Sequence, residues 1–102
     1  MAALPPFGHL ALFRCEAMTL GKAMAFLQEL AQQPVADGVN VLGPVPAPME
    51  KRAGRYRAQL LLQASQRAPL HQTLERLLDA ARQSPQSRQC RWHVDVDPID
   101  ML

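Results

Sequence analysis

Apolar and polar residues alternate in two stretches of the chain, which predicts two amphipathic β-strands. One begins at Arg55, where tyrosine, alanine and leucines on one face alternate with arginine and glutamine on the other. The second spans residues 90 to 97, where cysteine, tryptophan and valines alternate with arginine, histidine and aspartates, and it ends before Pro98. Strands with one polar face are typical of an antiparallel sheet that is covered on one side.

Two further strands are predicted from the residues that bound them. Residues 9 to 16 lack glycine and proline, alternate bulky and small side chains, and follow Pro5-Pro6. Residues 39 to 42 form a short apolar piece after the turn signal Asp37-Gly38. Because Gly43 and three spaced prolines follow, and proline cannot donate a ladder hydrogen bond, we expect a short strand at a sheet edge.

Apolar residues at helical spacing predict two helices. Thr19 is suited to cap the first helix, which is expected over residues 20 to 32 because Gln33-Pro34 ends it. The second is expected to start around Pro69, a residue tolerated in a first helical turn, and to end before Ser84-Pro85. Its apolar stripe consists of Leu70, Leu74, Leu77, Leu78 and Ala81.

The predicted order, β-α-β-β-α-β, places the fold in the α+β class. In this ferredoxin-like, two-layer sandwich, a four-stranded antiparallel sheet carries two helices on one face, and its other face is open. The first and fourth strands lie side by side and antiparallel, which can bring Cys15 near Cys90. The chain has 102 residues, and we expect one domain over residues 1 to 102.

Composition limits the possible binding partners of the chain and the compartment in which it is expected. The longest apolar runs, such as Leu60-Leu61-Leu62, fall short of the roughly 18 residues that cross a bilayer, so no membrane contact is expected. Two cysteines and an N terminus without a secretory signal favour the reducing cytoplasm, where a Cys15–Cys90 disulfide is disfavoured. The formal net charge of +2 leaves nucleic acid open as a partner.

Neither a metal centre nor a catalytic group is predicted. Cys90 and His93 lie on opposite faces of a strand, and the remaining cysteine and histidines lack zinc-ligand spacing. Asp95 and Asp97 share a face about 7 Å apart, which suits an acid-base pair, but a strand end without a pocket favours ordinary surface carboxylates. With no glycine-rich phosphate loop, the chain is interpreted as a non-catalytic binding module. A small enzyme or effector-binding domain of the same fold is the alternative.

The strongest charge feature is a basic cluster around Gly54. It comprises four basic residues and one acidic residue, Lys51, Arg52, Arg55, Arg57 and Glu50. With Gly54 in the turn between the second and third strands, Arg55 and Arg57 project from the open sheet face, where Arg91 and His93 join them. Such a face can hold phosphates. The alternative is that these arginines keep an open sheet soluble.

Aromatic residues decide whether that face can also stack bases. Phe13 can lie on the open face and stack a base, or on the covered face and pack in the core, which is the favoured role. Tyr56, Trp92 and Phe26 are expected on core faces.

Several short segments, spread over nearly the whole chain from Leu4, form a combination that is uncommon in its order and spacing. They are Leu4-Pro5-Pro6-Phe7, Val41-Leu42-Gly43-Pro44-Val45-Pro46, Lys51-Arg52, Gly54-Arg55-Tyr56-Arg57, Gln59, Arg67, Leu70, Trp92 and Asp95-Val96-Asp97-Pro98-Ile99. In order and spacing they resemble the C-terminal domain of PriA, the bacterial primosomal replication-restart helicase. The resemblance implies a fold similar to a small-subunit ribosomal protein of the same β-α-β-β-α-β type.

The resemblance implies a role in restarting abandoned replication forks. The parent is an ATP-dependent DNA helicase whose ATP, magnesium and zinc sites lie upstream, so this chain alone is expected to be neither an enzyme nor a cofactor-binding protein. The expected partners are single-stranded or branched DNA, other primosome proteins and the parent's helicase core. The DNA-binding residues would be Lys51, Arg52, Arg55, Arg57 and Arg91. The alternative is a structural docking domain that packs on the core without contacting DNA.

The resemblance also implies a pocket, at the border with the helicase core, for the acidic, phenylalanine-ended tail of single-stranded DNA-binding protein. The matching arginine is Arg67, whose guanidinium can pair with a terminal carboxylate through two hydrogen bonds. One turn later a member of the family has glutamine where this chain has His71, which can still donate a hydrogen bond. The alternative is that Arg67 orients the turn between strand and helix.

Overall fold

A computed structural model describes residues 8 to 52 and 54 to 96, with the backbone alone for residues 48 to 52. Its elements, in chain order, are β1 (His9–Ala17), α1 (Leu20–Ala31), β2 (Val39–Arg52), β3 (Arg55–Ala64), α2 (Arg67–Gln83), a 3-10 helix (Pro85–Gln89) and β4 (Cys90–Val96). The predicted order of strands and helices is confirmed. Among the described residues, no helix is both long enough and apolar enough to cross a membrane.

The four strands form one antiparallel sheet in the order β2-β3-β1-β4. In the centre, β1 pairs with β3 from His9 opposite Ala64 to Ala17 opposite Tyr56. On its other side β1 pairs with β4, so the predicted antiparallel contact between the first and fourth strands is confirmed. Gly54 has φ +79° and lies in the turn between β2 and β3, as predicted.

The core lies between the sheet and the two helices. Alternate residues of β1 and β3 are buried against both helices, and these core residues include Ala11, Phe13, Cys15, Leu60, Leu62, Phe26, Leu30, Leu70 and Leu77. Phe13 is fully buried, and its ring centroid lies 6.4 Å from that of Trp92. Its core role is therefore confirmed, and the alternative in which it stacks a base is wrong.

The helices begin and end close to the predicted positions. Thr19 caps α1, and its Oγ1 accepts a hydrogen bond from the Lys22 amide at 3.2 Å. Helix α2 begins at Arg67, two residues before Pro69, and the residue before it, Gln66, makes no side-chain capping hydrogen bond. The amides of the first helical turn have no carbonyl partner within the helix, so Pro69, which lacks an amide hydrogen, is accommodated there.

Strand β2 is much longer than predicted. It continues for 14 residues to Arg52, beyond the three prolines that were expected to end it after residue 42. The predicted edge position is confirmed, and it explains the length: an edge strand has a ladder partner on one side alone, so it tolerates residues that lack an amide donor. Register shifts between Leu42 and Val45 and between Pro46 and Lys51 absorb the irregular backbone.

Candidate nucleic-acid interface

The sheet face opposite the helices carries mixed charge. Glu16 on β1 lies directly opposite both Arg57 and Arg91, and Arg57 Nε is 3.8 Å from Glu16 Oε2. Further along the same face, Arg14 Nε is 3.5 Å from Asp95 Oδ2. Both pairs are partly exposed, so each contributes at most about 1 kcal/mol, but each offsets a positive charge. The open face is therefore less basic than the sequence pattern predicts.

The middle of this open face is apolar. Leu61 of β3 lies opposite Leu42 of β2 on one side and Leu12 of β1 on the other, and Val45 follows on β2. Leu42 and Val45 are each 48% exposed, whereas Leu12 is 3% exposed. We call Leu12, Leu42, Val45 and Leu61 the apolar row. Its sequence signal was the leucine at position 61, which occupies a polar position of the alternating pattern.

A basic pocket lies at the end of the sheet where β1 stops and α1 begins. It has a volume of about 430 Å³. We use the name basic pocket for the site lined by Met18, Lys22, Arg55, Arg88, Gln89, Cys90 and Arg91. Four of these seven residues are cations and none is acidic, so the described lining of this pocket carries a positive charge.

The two cysteines meet beside the basic pocket. Both are free thiols, Cys15 buried and Cys90 partly buried. The Cys90 thiol donates a hydrogen bond to the Lys22 carbonyl at 3.7 Å, and the Cys15 thiol donates one to the Glu16 carbonyl at 4.0 Å. Burial raises the pKa of the Cys15 thiol far above its usual range, and the neighbouring Cys90 adds to that rise. Burial also raises the pKa of Cys90, although the neighbouring Cys15 and the charge of Lys22 oppose the rise. The predicted proximity of the cysteines is confirmed, and both thiols are protonated at neutral pH.

The structure brings together part of the proposed DNA-binding set. Arg55 and Arg91 line the basic pocket, whereas Arg57 lies on the open face next to Glu16. In the ladder between β2 and β3, Lys51 pairs with Tyr56 and Arg52 pairs with Arg55, but the side chains of Lys51 and Arg52 lie outside the described part of the structure.

Sequence reasoning missed two of the four cations of the basic pocket, Lys22 and Arg88. Lys22 lies in the first turn of α1, and Arg88 belongs to a 3-10 helix between the second predicted helix and the last predicted strand. The spacing of Arg88 three residues before Arg91 was the one local signal available. Both residues are far from Arg55 along the chain, so the sequence does not reveal the cluster before the fold is known.

Arg67 and His71 occupy the opposite end of the molecule. Both are exposed, and they lie one helical turn apart at the start of α2. Because β3 runs from Arg55 to Ala64 and α2 follows directly, about 30 Å of strand separates them from the basic pocket. The two residues line neither the basic pocket nor the groove between the helices.

That groove, of about 410 Å³, is mixed in charge. Its lining includes Glu29, Asp79 and Arg76, and Ser84 Oγ donates a hydrogen bond to Glu29 Oε1 at 2.8 Å. This hydrogen bond joins α1 to the residue that follows α2, and Arg76 donates to the Pro34 carbonyl at 2.9 Å. We therefore assign the groove a structural role.

The acidic and metal-binding candidates have the following places. Asp95 faces Arg14, while Asp97 lies outside the described residues. Cys90 packs against the core and His93 is exposed. Within residues 8 to 52 and 54 to 96, no three histidine, cysteine or acidic side chains gather in a way that could hold a metal ion.

The fold is shared with a solved structure of unrelated sequence. The de novo designed protein Foldit4 superimposes with a TM-score of 0.65 over 88% of this chain and 96% of its own, at 12% sequence identity. At that identity the likeness concerns the fold alone.

Sequence comparison identifies the family. The model of the primosomal protein N C-terminal domain matches residues 1–99. The replication restart protein PriA of Haemophilus influenzae is 39% identical over 101 residues, which are 96% of this chain and 14% of that protein. The PriA proteins of Synechocystis sp. and Rickettsia typhi are 31% and 29% identical over 99% and 95% of this chain, respectively, and 12% and 14% of their own lengths.

The chain thus spans about one seventh of the length of these relatives or less. The predicted two-layer fold is present, and the family match covers nearly every residue. The chain belongs to the primosomal protein N C-terminal domain family, the C-terminal domain of the replication restart protein PriA.

Proposed function

We propose that this chain is a non-catalytic DNA-binding domain of a replication-restart helicase of the PriA type, acting in the bacterial cytoplasm. The observation that carries the proposal is the gathering of Arg55 and Arg91 at one end of the sheet, next to the turn that follows Lys51 and Arg52. An excess of cations at one end attracts the phosphates of single-stranded or branched DNA, as found at a stalled fork.

The contacts are with the DNA backbone. The aromatic rings of Phe13 and Phe26 are fully buried among the core residues, so neither offers a stacking surface to a base, and the partly buried Trp92 packs against both. Phosphate contacts carry no direct sequence information. We therefore expect affinity that depends steeply on salt and weakly on base sequence.

The test replaces Lys51, Arg52, Arg55 and Arg57 by alanine and measures binding of a labelled single-stranded oligonucleotide by fluorescence anisotropy across a salt series. We expect weaker binding, with the slope of log K against log salt flattened by about one for each phosphate that the variant no longer binds. The control is Arg82→Ala, which removes an exposed charge from α2. Unchanged affinity in the fourfold variant would contradict the proposal.

A second part of the proposal concerns Arg67 and His71, which would contact the acidic, phenylalanine-ended tail of single-stranded DNA-binding protein. Their exposure and their spacing of one helical turn leave both side chains accessible to a carboxylate. In the full-length parent, Arg67→Ala is expected to weaken binding of the tail peptide and to leave the DNA-dependent ATPase on naked DNA unchanged. An unaltered peptide affinity would remove this role.

The apolar row supports a different candidate function, docking on the helicase core. Leu42 and Val45 are half-exposed next to the better covered Leu12, and such a surface is often buried against a partner. Hydrogen exchange would distinguish the two functions: strong protection of β2 and β3 in the full-length parent relative to this chain, without any DNA affinity of this chain, would favour docking.

A further inference from the structure

We propose that the basic pocket is a phosphate-binding site in which Lys22, Arg55, Arg88 and Arg91 hold a phosphate group of a single nucleic-acid strand. This goes beyond the DNA-binding surface proposed above, because Lys22 and Arg88 are not part of it. The phosphate chemistry stands on the pocket itself, and the assignment to a nucleic-acid strand rests on the proposed function.

The charge balance of the pocket points to an anion. Among the described residues, four cations and no carboxylate line it, whereas the groove between the helices has Glu29 and Asp79 beside Arg76. Like charges gathered around one volume repel one another, and a bound anion removes that repulsion.

The four cations are also without acidic partners in the part of the chain that the structure describes. Arg14, Arg57 and Arg82 each approach a carboxylate within 4.0 Å, but Lys22, Arg55, Arg88 and Arg91 form no such pair with a described residue. A guanidinium free of a carboxylate keeps its donors available, and arginine binds phosphate through two parallel hydrogen bonds.

The pocket is assembled by four elements of regular secondary structure. Lys22 belongs to α1, Arg55 to β3 and Arg91 to β4, while Arg88 belongs to the 3-10 helix. That short helix is itself held in place, because Ser84 Oγ accepts from the Gln86 amide at 3.1 Å and Ser87 Oγ donates to the Ser84 carbonyl at 2.8 Å. Donors that approach from several directions suit a site for an anion with several oxygens.

The same geometry favours phosphate over a carboxylate. A carboxylate offers two oxygens in one plane, whereas the oxygens of a phosphate point in different directions and can accept hydrogen bonds from several converging donors. Helix α1 starts beside the pocket, and its positive N-terminal end adds to the attraction. A volume of about 430 Å³ also leaves room for the nucleoside attached to the phosphate.

Two measurements test the proposal on this chain. In the first, pyrophosphate is titrated into isotope-labelled protein, and the amide signals are followed by NMR. We expect the largest shifts at Lys22, Arg55, Arg88 and Arg91. In the second, the dissociation constants of an oligothymidine with a 5′-phosphate and of the same oligothymidine with a 5′-hydroxyl are compared for the wild type, Lys22→Gln, Arg88→Gln and the control Arg82→Gln.

We expect Lys22→Gln and Arg88→Gln each to raise the dissociation constant about two- to fivefold, with a salt slope flattened by about one. The control Arg82→Gln removes the same charge from α2 and should leave both quantities unchanged. A preference for the 5′-phosphate would assign the pocket to a strand end, and equal affinity for both oligonucleotides would assign it to an internal phosphate.

The outcomes separate this proposal from the proposed function. If all three variants weakened DNA binding equally, net charge alone would explain the binding, and the phosphate site would be overturned. DNA binding without any response at Lys22 and Arg88 would overturn it as well. Pyrophosphate shifts in the pocket without DNA affinity would support the phosphate site and overturn the proposed function. Stronger shifts with an acidic, phenylalanine-ended peptide than with DNA would overturn the assignment to nucleic acid.

Discussion

Two hydroxyl groups tie α2 to the rest of the molecule. Thr73 is fully buried, and its Oγ1 accepts a hydrogen bond of 3.0 Å from the Ala36 amide in the segment that precedes β2. Ser84 is 4% exposed, and its Oγ bridges Glu29 of α1 and the Gln86 amide. Buried polar groups are tolerated where they are hydrogen-bonded, so these two residues fix the position of α2 specifically.

We predict that Thr73→Val lowers the free energy of unfolding by about 1–3 kcal/mol, because it leaves the Ala36 amide without its acceptor. The matched control is Thr73→Ser, which keeps the hydroxyl group and loses a methyl group. Urea denaturation of both variants measures the difference. A valine variant as stable as the serine variant would show that this hydrogen bond does not stabilise the fold.

Cys15 makes the stability of the fold depend on alkaline pH. Its thiol is 1% exposed, and burial raises its pKa, so the folded protein holds the thiol protonated where an unfolded chain would ionise it. Below pH 9, the ordinary pKa of the thiol, the two states bind the same proton and the full stability is present. Above that pH, the unfolded state gains from ionisation and the folded state does not.

The free energy of unfolding is therefore expected to fall by about 1.4 kcal/mol per pH unit above about pH 9 through this one group. Cys15→Ala removes the contribution. Urea denaturation at about pH 8 and about pH 10 should show a loss about 1.4 kcal/mol larger in the wild type than in the variant. Equal losses would mean that Cys15 ionises as easily in the folded protein as in the unfolded chain.

At the scale of elements, β2 departs most from its sequence pattern. Proline at alternate positions normally ends a strand, but β2 needs hydrogen bonds to β3 alone and continues past the prolines with two register shifts. The first shift begins at Gly43, which has φ +105°. A Cβ built on Gly43 would lie 3.1 Å from the Val45 nitrogen and 3.2 Å from the Gln59 carbonyl oxygen.

We predict that Gly43→Ala destabilises the protein by about 1–3 kcal/mol, because alanine is strained at this φ and its Cβ crowds the backbone. Gly21→Ala is the contrasting variant. Gly21 lies in α1 with nothing within 4 Å of an added Cβ, so alanine there should stabilise by up to about 1 kcal/mol. Thermal unfolding measures the change in stability for both variants. If both substitutions changed the stability in the same direction, the strain assigned to Gly43 would be contradicted.

At the scale of the whole molecule, the two proposed binding surfaces lie at opposite ends of the sheet. The basic pocket adjoins the start of β3, and Arg67 follows its end, about 30 Å away. That distance exceeds the Debye length of about 10 Å at 0.1 M ionic strength, so the charge at one end is screened from the other.

We therefore expect Arg55→Ala to raise the dissociation constant of this chain for single-stranded DNA about two- to fivefold, and Arg67→Ala to leave it unchanged. Both variants remove one positive charge, so each controls for the other. Anisotropy titrations at about 0.1 M salt measure the effect. An equal loss in both variants would mean that DNA responds to net charge, or that it spans the whole molecule.

The sequence pattern was sufficient for the order of elements and for the covered face of the sheet. The direction in which side chains point repeats every two residues in a strand and about every 3.6 in a helix. The spacing of Leu60 and Leu62, or of Leu70 and Leu77, is therefore enough to predict that they are buried. Capping by Thr19 and the edge position of β2 depend on single residue types and were equally accessible.

Tertiary structure decided which charges meet. Glu16 and Arg57, or Lys22 and Arg88, are far apart in the chain, and their proximity depends on strand register and on where α1 and the 3-10 helix approach the sheet. A shift of register by one residue would move Glu16 away from both arginines. The basic pocket and the neutralised open face are therefore properties of the folded chain, because long-range pairing leaves no local periodicity to detect.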